Sequence, residues 1–161
     1  MHNWPAVLAQ LKESARRIEL ATRGLSAAAL RWKPSAESWS VNEVIAHLRA
    51  CADVWGGSIA RMLKEDNPTI RYVSPRGWIR KTDYLELNFE ESFAAFRKQR
   101  EALLLTLQPL DEKGWKRRAQ VKAAKLREET VLSYAERLAQ HETGHCVQIE
   151  RILEAWRDRE A

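Results

Sequence analysis

At 161 residues, 45% hydrophobic and 30% charged, the chain has the length and balance of one folded, soluble domain with a continuous core. No apolar run reaches the length of a membrane span, and the opening MHNWPAVLAQLKE lacks the order of a signal peptide, so the chain is expected in the cytoplasm with Cys51 and Cys146 as free thiols. A net charge of +5 permits weak nucleic-acid contact without demanding it, and a solvated basic surface is the simpler reading.

The apolar spacing predicts a first helix over residues 3–23, with Trp4, Leu8, Leu11, Ala15, Ile18 and Thr22 inward, Asn3 as cap and Gly24 as stop. His2 precedes it as a solvated terminal residue. Residues 25–38 read as a connector with a short helical turn, pinned by Trp32 and Trp39. Ser40 then caps a second helix over residues 40–65, with Glu43 completing a capping box. Val44, His47, Cys51, Trp55 or Val54, Ser58 and Met62 share its inner face, and Gly56 and Gly57 suggest a close helix approach.

Residues 66–80 carry two prolines and a glycine and read as an irregular loop. A third helix is predicted over residues 82–107, with Leu85, Phe89, Phe93, Phe96, Leu103 and Leu107 inward and Pro109 as its end. Residues 111–129 are basic in their middle; with only Trp115 as an aromatic stacking partner, they read as a solvated loop or short helix and not as a phosphate-binding surface.

The last helix spans residues 130–156. Val131, Tyr134, Leu138, His141, His145, Ile149, Ile152 and Trp156 follow one another at steps of three or four, the recurrence of one helix face, so two histidines fall on an apolar stripe. Imidazoles one turn apart have Cβ atoms roughly 5 to 6 Å from each other, close enough for both rings to reach one ion. Left without partners, each buried ring would cost about 1 to 3 kcal/mol.

Four amphipathic segments without an alternating strand give an all-α four-helix bundle with long connecting loops, at least one of them able to cross over. Facing helices of such a bundle bring His47 to His141 and His145. HETGH over residues 141–145 also matches H-E-x-x-H, the zinc-protease helix whose glutamate is a general base. That motif needs a third ligand, and only sixteen residues follow His145, with Glu150 and Glu154 on the same helix and no extended H-x-x-G-x-x-H pattern. Glu142, about 100° round the helix from His141, points away from the histidine face and reads as a surface charge. Glu43, one turn before His47, combines its capping role with that of a possible acceptor or proton shuttle behind the ring. Gly144 leaves room for a helix or a substrate.

The phrases WSVNEVIAHLRACADVW and TVLSYAERLAQHETGHCVQIERIL, with RGW, DY and LQPLDEKGW between them, resemble the DinB/YfiT-like superfamily of bacterial metal-binding four-helix bundles, and the resemblance covers nearly the whole chain. In that family a histidine in a W-S-x-x-E-x-x-x-H-L context joins two from an H-x-x-x-H on the last helix; the matching residues here are His47, His141 and His145. The resemblance implies a divalent ion, zinc or nickel, with an open coordination position, a low-molecular-weight thiol or other small molecule as substrate, and a homodimer, for which seven tryptophans also argue. Two functions follow: a metal-dependent thiol transferase or hydrolase, or a non-catalytic, stress-associated metal-binding protein. An accessible pocket at the triad favours the first, and a triad sealed by Trp and Leu side chains the second.

Overall fold

The computed structural model describes residues 3–161, so the expectation for His2 lies outside the described residues. Helix α1 spans Trp4–Thr22, and the short α2 spans Ala27–Arg31. The second long helix is α3, Val41–Cys51, a π-helical turn over Ala52–Gly56, and α4, Gly57–Lys64. After strand β1, Thr69–Arg71, and the short α5, Pro75–Ile79, comes α6, Phe89–Leu107. A single turn, α7 (Glu112–Trp115), leads into strands β2, Arg118–Lys122, and β3, Leu126–Thr130, before α8, Val131–Glu160.

The fold is mostly helical and bundled as expected, with one addition. β2 pairs with β3 antiparallel and with β1 parallel, making a three-stranded sheet in the order β1-β2-β3 beside the bundle. Its strands run three to five residues, and only alternate positions such as Ile70, Ala119 and Val121 turn inward. The basic run therefore forms a hairpin. Its charges have structural partners: Arg117 donates to the carbonyls of Met62 and Glu65 at 2.6 and 2.7 Å, Arg118 faces Glu128, and Arg127 faces Glu129. Arg117 thus caps the open carbonyl end of α4, where a cation is favoured.

α1 packs on α8 and α6, and α3 packs on α6 and α8, so α1 and α3 occupy opposite corners of the bundle, as do α6 and α8. The connections across these diagonals, residues 23–40 and 108–130, are the crossovers. Gly24, with φ +74, turns the chain after α1 in a conformation that side-chain-bearing residues rarely adopt. Ser40 and Glu43 form the capping box of α3 as expected. Asn3, by contrast, makes no side-chain cap bond.

Other boundaries differ for physical reasons. α6 begins at Phe89 because Asn88 and Glu91 close a capping box there, which leaves Leu85 outside the helix and half exposed. A Cβ on Gly56 or Gly57 would meet nothing within 4 Å, so these glycines mark the π-turn and not a close helix approach. Six of the seven tryptophans are buried or half-buried within one chain, so their number alone does not call for a second copy.

The core has two apolar halves. One gathers Leu11, Cys51, Trp55, Met62, Leu107, Trp115, Tyr134 and Leu138, and the other Ile18, Val44, Leu48, Phe93, Phe96, Cys146, Ile149 and Leu153. In chain order, Ser14 of α1, Arg100 of α6, and His141, Glu142 and His145 of α8 fall between the two sets, and His47 of α3, one turn before Cys51, meets His141 at the same level. A polar layer crosses the bundle at this level. Within it Arg100 is 3% and Glu142 0% exposed, and the two form an ion pair completed by the Ser14 hydroxyl, which donates to Glu142 at 2.7 Å. Glu142 does point away from the histidines, but into the α1 and α6 side of the core. The surface-charge reading is corrected: α8 has protein on both faces, so the side opposite the triad is also interior.

Replacing Arg100 by Met should cost about 3 to 5 kcal/mol in urea unfolding, because Glu142 is left as an uncompensated buried charge. The double replacement with Glu142→Leu should recover most of that loss, and equal losses in the two proteins would contradict the pairing.

Candidate metal centre

Each histidine is delivered by a regular element. His47 lies in the second turn of α3, behind the Ser40 capping box, and is 7% exposed. His141 and His145 lie one turn apart on α8, both partly buried. The three Nε2 atoms converge: His141 Nε2 is 3.3 Å from that of His47 and 3.1 Å from that of His145. Nitrogens bound at 2.0 to 2.1 Å to one tetrahedral ion sit about 3.3 Å apart, so the cluster has the spacing of a three-nitrogen ligand set. Among the described residues these three are the one group of His, Cys, Asp and Glu side chains close enough to hold an ion together, their ligand atoms all within 4.8 Å.

The surroundings fix the rings. His145 Nδ1 lies 2.7 Å from Gln148 Oε1 and, facing an amide oxygen, is the donor there, which leaves the Nε2 lone pair turned to the centre. Trp39 stacks on His145 with planes 3° apart and meets His47 edge-on at 5.1 Å. Trp55 meets His141 edge-on, also at 5.1 Å. Burial lowers all three imidazole pKa values, to about 3 for His47 and about 4 for His141; charge on the neighbouring rings adds to the shift of His47 and His141, charge on Arg76 adds to that of His47, and the Gln148 bond opposes it at His145. The rings are therefore neutral near pH 7. Three neutral rings meeting through their Nε2 atoms suit a cation.

The remaining candidates separate. Cys51 Sγ comes within 3.5 Å of His47 Nε2 but stands outside the three-histidine group, and burial pushes its thiol pKa up. Cys146 contacts the Ser14 carbonyl at 3.6 Å, and burial pushes its thiol up to about 11. Both are free and buried, and they behave as small apolar filling. Glu43 is engaged by Lys33 at 2.8 Å and by the Ser40 backbone N–H at 2.8 Å, which gives it a structural role without contact to His47. Full burial pushes the Glu142 carboxyl above its ordinary range, while Arg100 and Ser14, both donating to it, act the other way. A general base for hydrolysis at the triad would have to leave that pair.

An open cleft of about 650 Å³ adjoins the triad, with His145, Gly144, Trp39, Arg76 and Arg151 in its lining. A Cβ on Gly144 would meet nothing within 4 Å, so the glycine opens onto this cleft and not onto a neighbouring helix. Sequence reasoning missed Trp39 as a wall of the site, and it missed Arg76, whose short helix α5 was hidden in a stretch read as irregular.

Fold and site together define a four-helix bundle with a three-histidine cluster at mid-height. The sequence matches the DinB superfamily over residues 10–149, and the chain belongs to that family. No curated protein matches the sequence. Among solved structures the chain is similar to YfiT from Bacillus subtilis, described as a probable metal-dependent hydrolase with an unusual four-helix bundle topology: 18% identity, TM-score 0.79, over 92% of this chain and 84% of that one. It is also similar to the mycothiol-dependent maleylpyruvate isomerase, at 14% identity and TM-score 0.69, over 90% of this chain but only 60% of that longer protein. At these identities the likeness shows a shared fold. Among the described residues no helix is long and apolar enough to cross a membrane.

The lowered imidazole values set a pH dependence for the metal-free protein. Each ring's folded pKa lies below its ordinary value of 6.5, so the unfolded chain takes up protons first as the solution is acidified. Stability should be full above about pH 6.5 and decline towards pH 4, read as a falling melting temperature. A profile flat across that window would contradict the burial of neutral rings.

Proposed function

We propose that His47, His141 and His145 bind one divalent ion, zinc or nickel, and that the chain is a metal-dependent enzyme acting on a low-molecular-weight thiol or another small molecule in the cytoplasm. The observation that carries this reading is the convergence of three neutral Nε2 atoms on the wall of an open cleft. A closed structural site would have four protein ligands, whereas three leave a position for a ligand from solution. An ion so held supplies Lewis acidity, stabilising a thiolate or a developing negative charge near neutral pH. The chain's own residues do the rest. Gln148 holds the His145 tautomer, Trp39 and Trp55 restrict the rings and shed water from two sides, and Gly144 leaves the approach clear.

The similarity to a protein described as a probable metal-dependent hydrolase and to a mycothiol-dependent isomerase agrees with an enzymatic role. The non-catalytic alternative predicted a sealed triad, and the cleft beside His145 weighs against it. The H-E-x-x-H protease reading is disfavoured by the engagement of Glu142 with Arg100 and Ser14.

Replacing His145 by Ala should remove most of the bound metal in elemental analysis of untagged protein. Glu142→Gln should keep it, with thiol-transfer activity, where present, within a few-fold of the parent. Full metal content in His145→Ala, or peptidase activity abolished by Glu142→Gln, would overturn the assignment. The homodimer belongs to the same proposal and rests on the family resemblance; sedimentation equilibrium should give twice the chain mass at high micromolar concentration, and monomer alone would refute it.

A further inference from the structure

The cleft beside the triad carries charges that the metal reading does not use. Arg76 and Arg151 both line it, on different elements, and both are exposed. Among the described residues neither has an ion-pair partner, in contrast to Arg117, Arg118, Arg127 and Arg137, which are tied to carbonyls or carboxylates. Glu37 is the single acid in the lining, so the cleft is positive even before a divalent ion is counted.

Arg76 is held in place. Its helix α5 is fastened by Ile79, which packs with Ala46 and Ala50 of α3. The Trp78 indole N–H donates to Asp53 Oδ2 at 2.9 Å, and that carboxylate also accepts from the Tyr84 hydroxyl at 2.6 Å and from Gln99. From this anchored turn the Arg76 guanidinium reaches over the Trp39 ring, 5.8 Å from its centroid. Arg151 lines the same cleft from α8, beyond His145 and Gln148 in the chain. Two guanidinium groups from different elements thus share one cleft with Trp39 and His145.

We propose that the cleft selects a carboxylate-bearing small molecule, with Arg76 and Arg151 gripping the carboxylate while the rest of the molecule lies against Trp39 beside the triad. This inference rests on the metal-site reading for its catalytic meaning, but the grip itself belongs to the arginines. A guanidinium offers two parallel N–H donors that match the two oxygens of a carboxylate, and such charge-assisted bonds are roughly twice as strong as neutral ones. The flat indole suits a planar group, and Glu37 opposes a phosphate dianion more than a carboxylate.

The test uses succinate, its neutral counterpart succinamide, and inorganic phosphate, each titrated by calorimetry into zinc-loaded and metal-free protein at low salt. Succinate should bind at least tenfold more tightly than succinamide or phosphate, and Arg76→Gln and Arg151→Gln should each weaken it by about tenfold with metal content unchanged. Raising salt should weaken it further, because both arginines are exposed. Equal binding of succinate and succinamide, phosphate binding as tight as succinate, succinate affinity unchanged in both arginine variants, or no succinate binding in either form would overturn the proposal. The metal reading fails separately. If the protein takes up no zinc yet binds succinate in an arginine-dependent way, the carboxylate grip stands and the metal assignment does not.

Discussion

The architecture depends on one constraint: charged and polar side chains buried at mid-height in an apolar bundle must meet partners there, although Arg100 Nε and Nη1 and His141 Nδ1 have none among the described residues. Two sets of such groups share the layer. On the α3 side of α8, three imidazoles meet at their Nε2 atoms, and on the α1 and α6 side, Glu142 meets Arg100 and Ser14. A buried carboxylate or guanidinium alone would cost several kcal/mol, and a buried imidazole about 1 to 3. The layer therefore fixes the axial register of all four helices. Sliding α6 by one turn would strand Arg100 and Glu142 together, and sliding α3 would remove His47 from the cluster.

Much of this was legible in the sequence because α-helical period and burial coincide. His47, His141 and His145 fall on stripes otherwise made of Val44, Cys51, Met62, Leu138 and Ile149, and polar residues in such positions announce a shared site. The stripe of α6 also carried a signal that passed unnoticed. Phe89, Phe93, Phe96, Leu103 and Leu107 leave a gap, and Arg100 fills it. Glu142 was misjudged for a related reason. Its direction relative to the histidines follows from helix geometry, but what lies in that direction depends on α8 being flanked by both α1 and α3, which the spacing of one helix does not encode.

The sheet and α5 were hidden because their residues carry little periodicity. LREET shows no alternation of apolar side chains, and the buried member of its pattern is Glu129, held by Ser133 and Arg137 at 2.8 and 3.0 Å. These elements exist through tertiary pairing and not through local preference. They matter to function all the same. The crossover connection from α1 to α3 brings Trp39 onto the histidines, and the segment between α4 and α6 brings Arg76 over Trp39, so the irregular parts of the chain build the cleft beside a site that the regular parts hold.

The account rests on the three imidazoles acting as one ligand set with room for a ligand from solution. X-ray absorption spectroscopy of the zinc-loaded protein measures that directly. The account predicts three imidazole nitrogens at about 2.0 to 2.1 Å, with a further light atom and no sulfur in the coordination shell. A shell containing sulfur at about 2.3 Å, which would bring in Cys51, or one with fewer than three imidazoles, would contradict it.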